Sequence, residues 1–371
     1  MALMTAPTTS TAQLDRLLAD FDARQPAALA RAVSIVENHR PGFEAILGRL
    51  HPRLGRARRI GITGPPGAGK STLTTGLAAH YRQAGLTVGI IAVDPTSPFT
   101  GGALLGDRIR MEAVALDPGI FIRSMATRGS LGGLAATTRE VADVLDAYGF
   151  DRILIETVGV GQSELDIART ADTSAVVLVP ESGDAIQTMK AGLMEIADVF
   201  IINKADRPGA DRLRHEVELM LGLRMGQIFR NVPAHHGVDL RKVNTPARAA
   251  REAAQEANAP EWTPPVLATK ADRGEGIDAV AAAFDRHFDY LEQSGALRER
   301  RRQRLRERVI EVVERRVRER LWGDERTNAW LDQQLPALES GALTPFAAAA
   351  ELLERSGELL VQEPTSTTRG H

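Results

Sequence analysis

The spacing of apolar residues changes along the chain and divides it into distinct parts. Between Leu14 and Leu50 apolar residues recur at helical spacing, which predicts two or three helices, two of them separated at Pro41. From Arg59, short β-branched runs bounded by Gly, Pro and Asp alternate with amphipathic segments, a pattern typical of strands and helices around a parallel sheet. After Ile277 only helical spacing follows.

This pattern predicts an α/β fold with a mostly parallel sheet flanked by helices. The predicted strands are residues 59–63, 87–93, 120–124, 152–156, 175–179, 199–203 and 266–269, and the later helices are predicted over 298–321 and 345–355. We expect disordered polar ends at 1–13 and 362–371, a helical segment over 14–57, an α/β domain over 58–293 and a helical arm over 294–361.

Composition narrows the classes of protein. Lys and Arg total 46 against 48 Asp and Glu, so the formal net charge is -2 and no overall basic field favours nucleic acid or an anionic membrane. The chain has 0 cysteines, which excludes disulfides, thiolate metal sites and cysteine nucleophiles. No apolar run reaches the roughly 18 residues of a membrane helix, and residues 1–13 lack the order of a secretory signal, so we expect a cytoplasmic protein.

A phosphate-binding motif follows the first predicted strand. Its residues are Gly64, Pro65, Pro66, Gly67, Ala68, Gly69, Lys70 and Ser71, followed by Thr72, and they fit G-x-x-x-x-G-K-[ST] between a strand and a helix predicted over 71–80. Glycines in such a loop let backbone N–H groups surround phosphate oxygens at the positive end of the helix. We expect Lys70 to neutralise charge on the β- and γ-phosphates and the Ser71 hydroxyl to take one Mg²⁺ position.

Acidic residues lie where further Mg²⁺ ligands are expected. Asp94 and Glu156 each end an apolar predicted strand, and Asp107 lies in the loop that follows Asp94. Open parallel sheets bind ligands at the carboxyl ends of their strands, so these acids favour Mg²⁺ binding or catalysis over helix capping. Gln162, in the glycine-containing loop after Glu156, is a candidate for orienting the attacking water. The alternative for Gln162, an ordinary residue at the start of a helix, fits the sequence equally well.

A second motif indicates which base is bound. Its residues are Asn203, Lys204, Ala205 and Asp206, and they match N-K-x-D after an apolar predicted strand. A carboxylate accepts hydrogen bonds from both guanine N1–H and the exocyclic amine, which adenine does not offer, so GTP is favoured over ATP. A near copy occupies 269–272. We expect the first copy to read the base, and the residues Thr269, Lys270 and Ala271 to form a loop whose backbone N–H groups contact the guanine oxygen.

Together these segments resemble the MeaB/ArgK family, the methylmalonyl-CoA mutase-associated GTPases, over nearly the whole chain. The resemblance is carried by residues 64–71, 93–97, 101–108, 156–164 and 203–206. It implies a P-loop GTPase that forms a homodimer through its C-terminal helical arm. It also implies a chaperone role toward an adenosylcobalamin-dependent acyl-CoA mutase, in which GTP binding and hydrolysis gate cofactor loading from an adenosyltransferase and protect the mutase from inactivation.

The same resemblance implies roles for single residues. Those matching Ser71, Asp94, Asp107 and Glu156 would serve Mg²⁺ and catalysis. Those matching Asp184, Gln187 and Lys190 would form a mobile switch loop that relays the nucleotide state to the mutase, whereas these residues by themselves indicate a capped amphipathic helix. The segment nearest to the corrinoid motif D-x-H-x-x-G, at 285–290, lacks the glycine, so we expect no cobalamin bound directly to this chain.

Other classes of protein share part of this pattern. A P-loop kinase acting on small molecules or proteins would use the same phosphate loop and would need a general base, for which Asp94 is the candidate. A nickel-insertion GTPase would carry a His/Cys cluster near the phosphate loop, and the first sixty residues contain no such cluster. No arginine is an obvious finger in cis, so we expect a low intrinsic hydrolysis rate, with Arg108, Arg123 and Arg128 as candidates to test.

Overall fold

The computed structural model describes residues 11–95, 111–127, 133–157, 167, 170–181, 195–224 and 262–357, excepting the side chains at 94, 95, 126, 127, 133–135, 223 and 224. The chain forms two compact units, residues 1–300 and 301–371. The first unit contains the sheet and its flanking helices, and the described part of the second is helical. The division falls inside one long helix, a few residues after the point where the sequence predicts the start of the helical arm.

A seven-stranded parallel sheet forms the centre of the first unit and confirms the predicted fold class. The strands are β1 (Arg58–Thr63), β2 (Val88–Pro95), β3 (Ile120–Thr127), β4 (Arg152–Thr157), β5 (Thr173–Leu178), β6 (Val199–Ile202) and β7 (Val266–Ala268), in the order β3-β2-β4-β1-β5-β6-β7. Each overlaps a predicted strand, with ends that differ by at most three residues. The continuous apolar runs that predicted them reflect burial on both faces, which is complete along β5.

Helices cover both faces of this sheet and build the second unit. They are α1 (Thr11–Asp22), α2 (Pro26–Glu37), α3 (Phe43–Leu50), α4 (Lys70–Gln83), α5 (Glu112–Ala115), α6 (Gly133–Tyr148), α7 (Ala210–Arg224), α8 (Ile277–Gln293), α9 (Ala296–Gly323), α10 (Glu325–Glu339) and α11 (Pro345–Arg355). Of these helices, none in the described part of the chain is both long enough and apolar enough to cross a membrane.

The three N-terminal helices share a core with the sheet. Buried residues of α1 and α2, such as Phe21 and Val33, belong to the same apolar cluster as Leu145 of α6 and Ile91 of β2. The helical segment predicted before the sheet therefore packs against the α/β unit rather than around a core of its own. Helix α1 begins at Thr11, so residues 11–13, expected in the disordered end, are helical, because they form the first turn ahead of the buried Leu14.

The opposite face of the sheet is covered by α4 and α8. Leu73 and Leu77 of α4 and Phe284 of α8 pack with strand residues such as Ile90 and Val177. The alternate residues of β5, among them Val176, face the other way and pack with α7. This arrangement fixes α4, which begins directly after the predicted phosphate loop, against the centre of the sheet.

The second unit contains a helix that the sequence pattern did not predict. Helix α10 packs Trp330 against Leu321 at the end of α9 and against Ala348 and Leu352 of α11. Leu331, Leu335 and Leu338 do recur at helical spacing, but Pro336 lies inside the segment, and proline usually interrupts a helix, so no separate helix was predicted there. The predicted helices on either side, α9 and α11, are confirmed.

A buried carboxylate holds the chain where it enters β1. Asp146 of α6 accepts hydrogen bonds from the backbone N–H groups of Gly55 (2.8 Å), Arg56 (3.1 Å) and Ala57 (3.0 Å). Its side chain is fully buried and also accepts from the guanidinium of Arg59 at 2.9 Å. Burial alone would lower the pKa of Arg59, but the surrounding carboxylates outweigh it and raise that pKa. The charge pair fixes the start of the strand that leads into the phosphate loop.

We expect Asp146→Asn to lower the free energy of unfolding by about 3 kcal/mol, because Arg59 would lose part of the negative charge that compensates it in the core. Thermal and urea unfolding measure this loss. Asp15→Asn is the matched control: its carboxylate pairs with Arg49 but is 54% exposed, so its removal should cost less than about 1 kcal/mol. Equal stability of the two variants would contradict the anchoring role of Asp146.

A second buried carboxylate holds the beginning of α9 against the amino end of the sheet. Asp198, just before β6, accepts from the backbone N–H of Ser174 at 2.9 Å and from the guanidinium of Arg300 at 3.1 Å. Nε2 of the buried His287 lies 3.2 Å from its Oδ1, and the ring's Nδ1 lies 2.8 Å from Oγ1 of Thr173. Burial raises the pKa of Asp198, but His287 and Arg300 outweigh that effect and leave the pKa below its ordinary value.

This pKa shift predicts how the Asp198 contribution depends on pH. A carboxyl whose folded-state pKa is lowered stabilises the fold above its unfolded-state pKa, near 3.8, and loses that contribution as the pH falls through the folded-state value. Asp198→Asn should therefore lower the unfolding temperature at pH 7, and its difference from the parent should shrink below about pH 4. Thermal unfolding of both chains from pH 3 to 7 measures this. A difference that stays constant across the range would refute it.

Candidate functional site

The predicted phosphate loop lies at the carboxyl end of β1, in the middle of the sheet between β4 and β5. Two of its glycines are required by the geometry. Gly64 has φ +140°, and a Cβ there would lie 2.1 Å from the backbone oxygen of Val177. Gly69 has φ +83°, and a Cβ there would lie 2.4 Å from Nδ2 of Asn203. Side chains at either position would push the loop away from β5 and from Asn203, so the close turn depends on glycine.

Lys70 begins α4 and turns back into this loop. Its Nζ donates to the backbone oxygens of Gly64 at 2.8 Å and Pro65 at 2.9 Å, and the residue is 5% exposed. The ammonium group therefore lies inside the curve of the loop, next to the positive end of α4. This placement concentrates positive charge where the sequence predicts phosphate.

Ser71 and Glu156 meet beside the loop. The Ser71 hydroxyl, on the first turn of α4, donates to Oε1 of Glu156 at 2.6 Å, and Glu156 is buried near the carboxyl end of β4. A hydroxyl and a carboxylate are the oxygen ligands that Mg²⁺ prefers, so this pair fits the ion chemically. Among the described residues there is no group of three or more His, Cys, Asp or Glu that could hold a metal ion, so any further ligand would come from elsewhere.

The remaining predicted site residues fall largely outside the described part of the chain. Asp94 lies in β2 as predicted, but its side chain is among those not described. The other predicted residues outside the described ranges are Asp107, Arg108, Arg128, Gln162, Asp184, Gln187 and Lys190. Arg123, by contrast, lies within β3, and its Nε donates to Glu37 of α2 at 2.7 Å. The Arg123 charge is therefore already paired with a carboxylate of the N-terminal helices, which argues against a role as an arginine finger.

Asn203 connects the two predicted motifs. Its buried side-chain amide donates to the backbone oxygen of Ala68 at 2.8 Å, inside the phosphate loop. Its Oδ1 accepts from the Thr269 hydroxyl at 3.0 Å and from the backbone N–H of Ala271 at 3.1 Å. The backbone N–H of Ala205 donates to the Thr269 oxygen at 3.0 Å. The structure thus brings together the phosphate loop, residues 203–206 and residues 269–271.

The charged residues of the two motif copies have different surroundings. Lys204 has φ +56°, which turns the backbone sharply after β6. In the second copy Lys270 pairs with Glu275 at 2.5 Å within its own turn, and Asp272 is exposed. Asp206 lies near Arg273, and Lys204 lies near Glu181. Sequence reasoning singled out neither Arg273 nor Glu181. No sequence signal marks them, because both lie outside the motifs and reach the site only through the fold.

A glycine-rich loop between a central parallel strand and a helix, with a lysine turned into the loop, defines a P-loop nucleoside triphosphatase. The family model described as "Methylmalonyl Co-A mutase-associated GTPase MeaB" matches residues 29–326. The chain belongs to this family, and it is a GTPase.

Two named relatives and one solved structure resemble the chain over most of its length. A protein named as a GTPase from Pyrococcus abyssi is 43% identical over 352 residues, covering 94% of this chain and 99% of the relative. A mouse protein named "Methylmalonic aciduria type A homolog, mitochondrial" is 32% identical over 359 residues, covering 92% of this chain and 79% of that protein. A crystal structure described as LAO/AO transport system kinase superposes with a TM-score of 0.64 at 28% identity, covering 93% of this chain and 98% of that one.

We expect Asn203→Ala to weaken GTP binding by at least about tenfold, because both loops that meet at Asn203 would lose their shared hydrogen bonds. Titration with a fluorescent GTP analogue measures the affinity. Asn328→Ala in the second unit is the matched control, since Asn328 also donates to two backbone oxygens. Unchanged affinity in Asn203→Ala would show that the loops hold their positions without this amide.

Proposed function

We propose that this GTPase gates adenosylcobalamin loading and protects an adenosylcobalamin-dependent acyl-CoA mutase, methylmalonyl-CoA mutase being the first to test. The observation that carries the proposal is the link through Asn203 between the predicted phosphate loop and residues 269–271, in a member of a family described as mutase-associated. The name of the mouse relative, which refers to methylmalonic aciduria, supports the same direction.

The proposed chemistry is attack of water on the γ-phosphorus of GTP, with cleavage of the bond to the β-phosphate oxygen and release of GDP and phosphate. The backbone of residues 64–69, with Ser71 and Thr72, would surround the phosphates, and Lys70 would offset their charge as it builds on the leaving group. Ser71, Glu156, Asp94 and Asp107 would hold Mg²⁺, which would supply positive charge to offset the negative charge on the phosphates. Gln162 would orient the water. We place no arginine finger, so the intrinsic rate should be low until a partner stimulates it.

Base recognition is assigned to the first motif copy. Asp206 would accept from guanine N1–H and the exocyclic amine, and Lys204 would lie along the base. Residues 269–271 would offer backbone N–H groups to the guanine oxygen. The hydrogen bonds from Thr269 and Ala271 to Asn203 support this assignment, because they hold the second loop against the first.

Further proposals concern partners and assembly. Asp184, Gln187 and Lys190 would form the switch that reports the nucleotide state to the mutase, and an adenosyltransferase would deliver the cofactor, so that this chain itself binds no cobalamin. A homodimer through the C-terminal arm is supported by an apolar stripe on α9: Leu305, Val309 and Val313 are each about half exposed or more. A cytoplasmic location is proposed, in keeping with the 0 cysteines.

The decisive measurement is steady-state phosphate release from GTP and from ATP by the purified chain, with and without an adenosylcobalamin-dependent acyl-CoA mutase. We expect slow release from GTP alone that rises several-fold when the mutase is added. Lys70→Ala should abolish the activity, since the charge inside the loop is lost.

Two outcomes would contradict the proposal in different ways. GTP turnover that no mutase changes would leave the GTPase standing and remove the chaperone role. Preference for ATP with transfer to an added acceptor would instead favour a P-loop kinase, the reading suggested by the description of the crystal structure of LAO/AO transport system kinase.

A further inference from the structure

Each charged side chain of the base motif faces an opposite charge from outside the motif. Nη2 of Arg273 lies 3.5 Å from Oδ2 of Asp206. On the other side, Oε2 of Glu181 lies 3.9 Å from Nζ of Lys204. Oε1 of Glu181 pairs with the guanidinium of Arg207, which directly follows the motif. The two motif residues proposed to touch the base are thus flanked by Arg273 and Glu181, which we call the charge frame.

The backbone carrying Arg273 is tied to the same asparagine as the rest of the site. Arg273 ends a short 3₁₀ turn, Ala271–Arg273, and its N–H donates to the Lys270 oxygen at 2.9 Å. The first residue of that turn donates its own N–H to Oδ1 of Asn203. The position of the Arg273 Cα relative to Asp206 is therefore set by hydrogen bonds that do not involve either side chain.

Glu181 is placed by the end of β5. It follows Pro180, whose ring faces Gly209, where an added Cβ would lie at an ordinary contact distance of 3.7 Å. Lys204 has a φ of +56°, a backbone conformation that side-chain-bearing residues rarely adopt, and its backbone oxygen accepts from the N–H of Arg207 at 3.0 Å. Glu181 therefore lies opposite a lysine whose backbone is held in a tight turn.

We propose that Arg273 and Glu181 are positioning residues that align Asp206 and Lys204 for guanine and so set base selectivity. The proposal rests on the proposed use of Asn203–Asp206 as the guanine site. Guanine recognition needs both carboxylate oxygens of Asp206 in the plane of the base. Each oxygen can accept more than one hydrogen bond. Arg273 on Oδ2 restricts rotation of the carboxylate while leaving acceptor capacity for the base. Glu181 likewise restricts the long Lys204 side chain before the base binds. Less side-chain entropy is therefore lost on binding.

Both pairs lie at the surface, so they can be tested by substitutions that leave the fold intact. Arg273 is 57% exposed and Asp206 is 35% exposed, so Arg273→Ala should fold like the parent chain. We expect Arg273→Ala to raise the Kd for GTP about fivefold, with kcat for bound GTP unchanged. Arg214→Ala removes a similarly exposed arginine, paired with Glu218 on α7, and should leave the Kd unchanged.

A double-mutant cycle with Asp206→Asn separates positioning from a general structural effect. Asp206→Asn is expected to shift preference from GTP toward xanthosine triphosphate, because an amide offers a donor to the changed base edge. If Arg273 acts through the Asp206 charge, adding Arg273→Ala to Asp206→Asn should change xanthosine triphosphate binding less than twofold. A full fivefold loss in that background would overturn the proposal. For the second half of the frame, Glu181→Gln should raise the Kd for GTP about threefold in the parent and leave it unchanged when combined with Lys204→Ala.

The outcomes distinguish this inference from the proposed function. If the parent chain binds GTP and both Arg273→Ala and Glu181→Gln match it within twofold, the charge frame is wrong while the GTP site stands. If the parent chain shows no preference for GTP over ATP, the guanine site itself fails.

Discussion

The buried amide of Asn203 is the interaction on which the rest of the site depends. It bonds the phosphate loop at Ala68, 135 residues earlier in the chain, and the loop at Thr269 and Ala271. A buried amide needs these hydrogen bonds, since each buried donor or acceptor left unpaired costs free energy. Gly69 permits this contact, because any side chain there would occupy the space of the amide. The predicted phosphate loop and the two predicted base loops are therefore connected through one buried side chain.

The two ends of the sheet have different physical tasks. At the carboxyl end, Lys70, Ser71 and Glu156 gather polar groups around an open loop. At the amino end, Asp146 and Asp198 are buried and satisfied by backbone N–H groups and by arginines. Charges at the amino end stabilise the connections into β1 and α9, whereas those at the carboxyl end lie at the predicted phosphate loop. The parallel sheet produces this division because all its strands run the same way.

The base site illustrates how specificity can depend on residues outside a motif. Asp206 and Lys204 are the residues proposed to recognise the base, but their side chains are partly exposed and would sample several orientations alone. Arg273 and Glu181 come from different segments and supply opposite charges at 3.5 and 3.9 Å. Surface ion pairs contribute little to folding, so such pairs can vary without loss of the fold. The charge frame therefore provides a way to tune base selectivity independently of stability.

Local patterns of residues were sufficient to predict the seven strands, the phosphate loop and the base motif. The strands are continuous apolar runs because both sheet faces are buried, and the loop is marked because Gly64 and Gly69 adopt backbone conformations that favour glycine. These signals are local, and a short window of residues contains them. The pairing of Arg123 with Glu37 and the approach of Arg273 to Asp206 come from the tertiary fold. Those outcomes depend on distances between segments far apart in the chain, which no local pattern of residues encodes.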